Sequence, residues 1–597
     1  MDTLKKISHL LTPQEHKRAI LLLLMVLVMA FLEMLGLVSI LPFMAVLSNP
    51  DIVETNTTLK NIYHFTKNYG IENNQQFLFL LGILVFVMLV LSLFFKALTI
   101  YVQVRFTTMC QYSISSRVIK GYLNEAYSWF LSRHSADLGK TILSEVAMVV
   151  TNGLNPLINL VVRSIVAITI LILLIVIDPK LAMIVGLTLG LAYGLIYKLI
   201  RNFLKHISQE RFKANQWRYT AVSEAFGAIK EIKLGGLEQI YTDRFSNPAK
   251  SFATHTASFQ VLNQLPRFAL EAIAFGGMLL ILLYLMAQSG DFVNAVPVIA
   301  LYTFAGYRLM PALQGIYGSI SQLRFVGPAL DALHKDLLKL KAAKFDNDKN
   351  ILPLKKNILL NNIDYNYPNS SRTALKNLNL TIPARSTVGI VGATGSGKTT
   401  TVDIILGLLK AQKGSLQIDG QVISENNKRA WQRTIGYVPQ QIYLADDSIA
   451  SNIAFGIDYK DINQKKVERA AKIANLHDFV VKELPNKYKT TVGERGIRLS
   501  GGQRQRIGIA RALYNNPQVL IFDEATSALD NLTEQIVMDS VHKIGSDITI
   551  ILIAHRLSTV KECDTIFLLE KGELKAEGTF ENLIKMSESF RKSAKRI

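Results

Sequence analysis

The sequence predicts a two-part fold: an α-helical six-span transmembrane domain followed by an α/β P-loop domain. Three observations predict it. Of 597 residues, 49 % are hydrophobic, and they cluster before about residue 320 in runs too long for an ordinary soluble core. A glycine loop, "GATGSGKTT", stands at Gly392–Thr400. About 120 residues later, "VLIFDEATSALD" reads as a buried strand with an acidic pair at its end.

Composition removes several alternatives. Two cysteines, Cys110 and Cys563, exclude a disulfide scaffold or thiolate metal cluster. The net charge of +20 suggests nucleic acid, but no basic run is interleaved with stacking aromatics. Cytoplasmic flanks of membrane helices collect Lys and Arg, so a membrane is expected and nucleic acid is not.

Leu21–Leu47 exceeds the roughly 20 apolar residues that a bilayer requires. It is too long for a signal-peptide core and lacks a small-residue cleavage site, so it reads as a retained span. Further spans are expected at Phe77–Ile100, Leu154–Ile177, Leu181–Ile200, Phe268–Ala287 and Val293–Ile316. The loop Ser48–Gln76 holds only Lys60 and Lys67 as strong cations, whereas the opposite-side stretches are rich in Lys and Arg. Both termini are therefore expected in the cytoplasm. The long inner segments predict helices that run well past the bilayer, with short docking elements at Ser128–Gly139 and Gly227–Ile240.

Charges within or beside spans are costly unless they meet a partner or a wet cavity. Glu33, Lys96, Arg163, Arg267 and Arg308 are such residues. Lys96, Arg163 and Arg267 can instead snorkel to the inner interface, and Arg267 has Glu271 one helical turn on. Arg308, in "TFAGYRLMPALQG", has the strongest claim on a cavity, which makes an anionic substrate a hypothesis.

The expected domains are 1–337 in the membrane, a polar linker over 338–350, and 351–597. In the last, Gly392, Gly397, Lys398 and Thr399 meet the GxxxxGK[ST] pattern between a strand and a helix. Its glycines let amides approach phosphates, Lys398 reaches the β/γ oxygens, and Thr399 offers a hydroxyl to Mg²⁺. Asp523 stands where a strand end presents ligands and can hold Mg²⁺ through water; Glu524 can polarise an attacking water.

"LSGGQ", Leu499–Gln503, followed by that strand, resembles the signature of the ATP-binding cassette (ABC) ATPases. The other motifs match in order: Tyr367 in "YNYPN", Gln440 in "GYVPQQ", "SALD" ending in Asp530, and His555 in "LIAHRL". The resemblance implies an ABC exporter architecture that binds ATP and Mg²⁺. ATP would be held by Tyr367, the loop Gly392, Ala393, Thr394, Gly395, Ser396, Gly397, Lys398, Thr399 and Thr400, and by Ser500, Gly501, Gly502, Gln503 and Asp530. Metal would meet Thr399, Gln440 and Asp523; Glu524, His555 and Gln440 would be catalytic. "TVGERG", Thr491–Gly496, resembles a segment that touches the membrane domain in exporters. The family commonly has glycine in the turn "IPARST", where this chain has Arg385 and Ser386; only a surface turn is expected to change.

In that family the signature of one subunit closes on ATP held by the other. One set of motifs therefore implies a homodimer with two composite sites. Two membrane stretches, "FLEMLGLVSILPFMAVL" and "YRLMPAL", together with the outer segment, resemble flippases of polyprenyl-diphosphate-linked oligosaccharides in bacterial protein N-glycosylation. Lys96, Arg267 and Arg308 would then line a cationic path in a bacterial inner-membrane protein, and "LKNIYHFTKNYGI" would lie on the membrane as an amphipathic helix. The alternative substrates are multidrug or lipid A-like molecules. A peptide exporter is disfavoured because no protease-like domain precedes the first span; an importer, a soluble cassette protein and an ATP-gated channel fit less well.

Overall fold

The computed structural model describes residues 2–594 except 49, 51, 69–70, 72, 178, 290–291, 341–349, 369, 371, 494–495, 525–530, 545–547 and 555–556. The chain forms two compact units. The first comprises Met1–Glu125 and Arg133–Ala343; the second comprises Ala126–Ser132 and Lys344–Ile597.

The first unit is helical. Helices α1 (Asp2–Leu10), α2 (Pro13–Val38) and α3 (Ile40–Ser48) lead to the short α4 (Ile52–Thr55) and α5 (Thr57–Lys67). The first expected span is thus two helices that meet at Ser39. Pro42 has no N–H for the Val38 carbonyl four residues back, which favours a break here, and the Ser39 hydroxyl donates to Gly36 O at 2.8 Å, giving one carbonyl of the preceding turn a local partner. The α5 helix includes much of the segment expected to be amphipathic, with Phe65 exposed and Leu59 buried.

The second span lies within α6 (Asn74–Leu123), whose 50 residues extend about 75 Å, more than twice the hydrocarbon thickness. The short α7 (Tyr127–Phe130) belongs to the second unit; α8 (Ser135–Lys140) returns to the first. A π-helical turn, α9 (Val146–Val149), and another π-helical turn continue into α10 (Asn155–Ile177). The remaining span positions fall inside α11 (Pro179–Gly227), α13 (Glu238–Ser289) and α14 (Phe292–Phe325), with α12 (Ile229–Gly235) between the first two. Helix α15 (Gly327–Lys339) extends past the expected domain end at 337. Among the described residues, Pro13–Gly36, Asn74–Leu123 and Ser135–Val176 are long and apolar enough to cross a membrane.

Apolar packing joins α2, α10 and α14 through Val26, Met29, Val166, Ile170, Leu309 and Ala312. Phe79, Phe86 and Phe94, in contrast, remain exposed along α6, as a lipid-facing helix surface requires. On the extension of α11, Arg211 is buried between the rings of Phe252 and Phe325, 5.3 and 5.2 Å away. Nearby, Asn215 donates to Glu145 at 2.9 Å, giving this part of the helical bundle a polar core.

Among its described residues, the second unit forms two sheets. β1 (Asn357–Asn366), β2 (Thr373–Pro383), β4 (Lys413–Ile418) and β5 (Gln421–Val422) form an antiparallel sheet ordered β2–β1–β4–β5. β3 (Thr387–Val391), β6 (Ile435–Val438), β7 (Val519–Asp523), β8 (Thr549–Ile553), β9 (Thr565–Glu570) and β10 (Glu573–Gly578) form the other, ordered β10–β9–β3–β8–β7–β6. Only the β9–β10 pair is antiparallel in this second sheet. β3, β7 and β8 are wholly buried, which is why they read as continuous apolar runs instead of alternating ones. Trp431 fixes the end of α16 (Lys398–Ile405): it has no exposed surface and donates its indole N–H to Ile405 O at 2.7 Å.

Between β2 and β3, Arg385 has φ = 60°. The departure from glycine in this turn therefore places a bulky residue in the left-handed region.

Candidate functional site: a phosphate loop at a parallel-sheet edge

Four neighbouring parallel strands aim their C-terminal ends at one edge. β3 runs into Gly392–Thr400, β6 precedes Gln440, β7 ends in Asp523–Glu524, and β8 leads to His555. Strand order explains how residues distant in sequence meet. β6 and β7 pair in parallel with Val438 beside Phe522, so Gln440 and Glu524 emerge together. The Gln440 amide Nε2 donates to Glu524 Oε2 at 2.7 Å, and an amide committed as a donor through its nitrogen can still accept a cation or water at its oxygen.

Glu524 has φ = 52°, a strained conformation for a glutamate, and its N–H donates to Ile553 O at 3.1 Å. The strand edge thus holds the carboxylate in a backbone state that sequence propensity alone would disfavour. Asp523 is 6 % exposed and accepts from the Tyr437 hydroxyl at 3.2 Å. Tyr437 is a positioning residue that motif reading missed; its signal was only its place in β6, two residues before the proline of "YVPQ".

In the loop, Lys398 Nζ donates to Gly392 O at 2.7 Å and Ala393 O at 3.2 Å. Burial holds this ammonium below the ordinary lysine range, while the carboxylates of Glu524 and Asp523 oppose the shift. Gly392 has no room for a side chain: a Cβ there would stand 2.2 Å from Leu569 O. Gly397 likewise has φ = 103°, and a Cβ would meet Leu375 at 2.7 Å. Ala393, Thr394, Gly395 and Thr399 are exposed in the loop, whereas Ser396 and Thr400 are buried. The Ser396 hydroxyl is buried and has no hydrogen-bond partner among the described residues.

Tyr367 follows β1 and shares a hydrogen bond with Thr400 Oγ1 at 2.9 Å. The tyrosine expected to hold ATP is therefore tied to the helix that starts at the loop. Helix α16 also carries Asp403, a residue absent from motif reading. Burial, with Asp523 adding to it, pushes the Asp403 carboxyl up to about 6.

Thr399, Asp523 and Gln440 supply hydroxyl, carboxylate and amide oxygens, a hard donor set suited to Mg²⁺. Among the described residues no cluster of three or more His, Cys, Asp or Glu forms a protein-only metal cage. A few protein oxygens completed by water and phosphate is the arrangement Mg²⁺ favours.

The signature stands apart from this loop in the chain's own hydrogen bonding. Ser500 caps the helix Gly501–Leu513 by accepting from Gln503 N, and Gln503 Oε1 returns a bond from Ser500 N at 2.8 Å. This capping box leaves the helix N-terminus formed and Ser500 exposed. Among the described residues, no hydrogen bond joins Ser500, Gly501, Gly502 or Gln503 to the loop. Asp530 and His555 lie outside the described residues, as do Glu494 and Arg495 in the segment before the signature.

The proposed substrate cations have different surroundings. Lys96 donates to Glu33 at 2.7 Å, joining α6 to α2. Arg267 pairs with Glu271 at 2.7 Å within α13. Arg308 lies in α14, but its side chain is outside the described residues.

A P-loop nucleotide site carried in one chain with membrane-length helices defines the class of a membrane-bound nucleotide machine. Residues 375–527 match the family model for the ABC transporter, and residues 19–311 match that for the ABC transporter transmembrane region. The chain belongs to the ABC transporter family and has the exporter fold. It is similar to the leukotoxin export ATP-binding protein LtxB of Aggregatibacter actinomycetemcomitans, with 35 % identity over 387 residues, 64 % of this chain and 54 % of that protein. It is also 35 % identical over 392 residues to the alpha-hemolysin translocation ATP-binding protein HlyB of Escherichia coli O6:H1, covering 65 % of this chain and 54 % of that protein. The chain spans about half the length of these relatives. A solved bacterial Atm1-family ABC exporter with ATP bound has a similar fold, with TM-score 0.79 and 24 % identity across 97 % of this chain and 98 % of that one.

Proposed function

We propose that this chain is an ATP-driven exporter acting as a homodimer in a bacterial inner membrane, with its ATPase unit in the cytoplasm. The Gln440–Glu524 contact, beside Asp523 and the phosphate loop, carries the reading of ATP hydrolysis. Lys398 would hold phosphate oxygens, Thr399, Gln440 and Asp523 would hold Mg²⁺, and Glu524 would take a proton from the attacking water. His555 would contact the terminal phosphate. Mg²⁺ would neutralise charge on the phosphates during transfer.

The exposed signature of one subunit would complete the nucleotide site of the other, with Asp530 on the loop across the interface. ATP shifts transport only by favouring the closed ATPase pair over the open one. Two segments can transmit that closure. Ala126–Ser132 already belongs to the ATPase unit. Helix α12 presents Leu234, 90 % exposed, as an apolar tip for a similar docking.

For the substrate, we favour a polyprenyl-diphosphate-linked oligosaccharide moved from the inner to the outer leaflet. Arg308 is the leading phosphate contact; Lys96 and Arg267 would have to exchange their carboxylate partners to join it. The toxin-exporting names of the relatives support a second reading, export of a polypeptide.

The deciding experiment places the purified full chain in proteoliposomes and follows a polyprenyl-diphosphate oligosaccharide between leaflets. ATP-dependent movement that disappears in Glu524→Gln supports the flippase reading. Normal ATP hydrolysis without lipid movement would remove that substrate and favour the polypeptide reading. Arg308→Ala should impair movement more than basal hydrolysis.

A further inference from the structure

Arg372 lies in the connection between β1 and β2, outside every motif used to define the nucleotide site. Its Nη2 is 3.5 Å from Gly395 O, on the phosphate loop. Both terminal nitrogens stand 3.9 Å from the point where a side chain on Gly395 would begin. The guanidinium is exposed, and no ion pair engages it among the described residues.

The backbone anchors it there. Two residues onward, Ala374 and Leu375 pack against the loop so closely that a Cβ on Gly397 would meet Leu375 Cδ2 at 2.7 Å and Ala374 O at 3.0 Å. Lys376 N then donates to Gly572 O at 2.9 Å. On its other side, Arg372 N donates to Ser370 Oγ at 3.2 Å. The strand entrance is thereby fixed against the phosphate loop, while the long side chain remains free to reorient.

A neutral carbonyl at the distance limit is a weak partner for guanidinium. Phosphate oxygens are a strong one, because two N–H groups can engage them in a matching plane. We infer that Arg372 is a phosphate-contacting residue: it leaves Gly395 O and binds the polyphosphate of the nucleotide in its own subunit. This assignment rests on the nucleotide-site reading. It gives the phosphates a second cation, from the strand entrance, in addition to Lys398 at the start of α16.

The test measures binding of adenylyl imidodiphosphate and AMP to the full-length protein in nanodiscs. Arg372→Ala should weaken the triphosphate analogue by about fivefold or more, as expected for one lost charge-assisted contact, with a smaller loss for AMP. Arg372→Lys should recover part of that loss because it retains the positive charge. Unchanged affinity in Arg372→Ala, or equal losses for both nucleotides without recovery in Arg372→Lys, would overturn the assignment. Lys398→Ala separates the two readings. Loss of triphosphate binding there, with Arg372→Ala unaffected, rejects the Arg372 role alone; retained binding in Lys398→Ala rejects the site itself. Thermal unfolding without nucleotide checks that every variant is folded.

Discussion

The second unit brings its candidate residues together at adjacent strand ends, whereas the membrane unit distributes its candidate cations over separate helices. Gln440 reaches Glu524 and Tyr437 reaches Asp523 directly. Lys96 and Arg267 instead meet carboxylates, at Glu33 and Glu271. A parallel sheet concentrates chemistry at one edge because each strand delivers its next residues to the same side. Long helices offer no such common end, and a charge inside hydrocarbon first needs compensation. Reaction chemistry is therefore easier to read in this chain than substrate recognition.

The largest expected effect tests the concentrated site. Glu524→Gln should lower ATP turnover by about 10²- to 10⁴-fold while retaining ATP binding, as loss of a general base requires. Steady-state hydrolysis and nucleotide binding measure the two quantities separately. Near-normal turnover would remove Glu524 from its assigned role.

The membrane contrast can be tested next through its ion pair. The Glu33 side chain is only 7 % exposed, so Lys96→Leu would leave its carboxylate buried without that partner. A loss of about 3–5 kcal/mol is expected, with much of it recovered in Lys96→Leu/Glu33→Leu. Unfolding in detergent reads both variants. If Lys96→Leu is neutral, the pair does not restrain Lys96, and the contrast with the ATPase site weakens.

Asp403 sharpens the comparison inside the second unit. Its folded carboxyl value of about 6 lies above the ordinary aspartate value of 3.8, so the folded state favours protonation. Ionisation consequently costs stability as pH rises across that interval. Asp403→Asn should stabilise the nucleotide-free protein by up to about 3 kcal/mol above pH 6, with the gain shrinking on acidification and vanishing below the unfolded value. Unfolding of both proteins across this pH range provides the test; a pH-independent difference would contradict it.

The smallest change concerns Arg385. Arg385→Gly should relieve the left-handed backbone at φ = 60°, with a net gain of about 0.5 kcal/mol after the added entropy of unfolded glycine. ATP turnover should remain unchanged, since this turn leads into the opposite end of β3 from the phosphate loop.

Legibility followed the same division. The apolar runs, glycine loop and acidic strand end were readable because membrane thickness, phosphate access and strand burial each constrain local sequence. Ser39 was harder to see: the run Leu21–Leu47 stays apolar through a break that depends on Pro42 and a local hydroxyl contact. Glu33 and Lys96 were visible as costly charges, but their pairing required the packing of α2 against α6. Tyr437, Asp403 and Arg372 escaped motif reading because their environments arise from strand register and from segments folded over the loop.

The proposed homodimer builds each of its two nucleotide sites from halves of two chains. The most direct test of that arrangement combines Lys398→Ala, which disables the loop, with Gly502→Asp, which disables the signature. Each variant alone should be inactive. When equal amounts are co-assembled, half the dimers should contain one intact composite site, restoring about a quarter of normal hydrolysis if those sites work independently. Recovery in the mixed dimers is the predicted result. Hydrolysis that stays absent in dimers verified to be mixed would contradict the composite-site account.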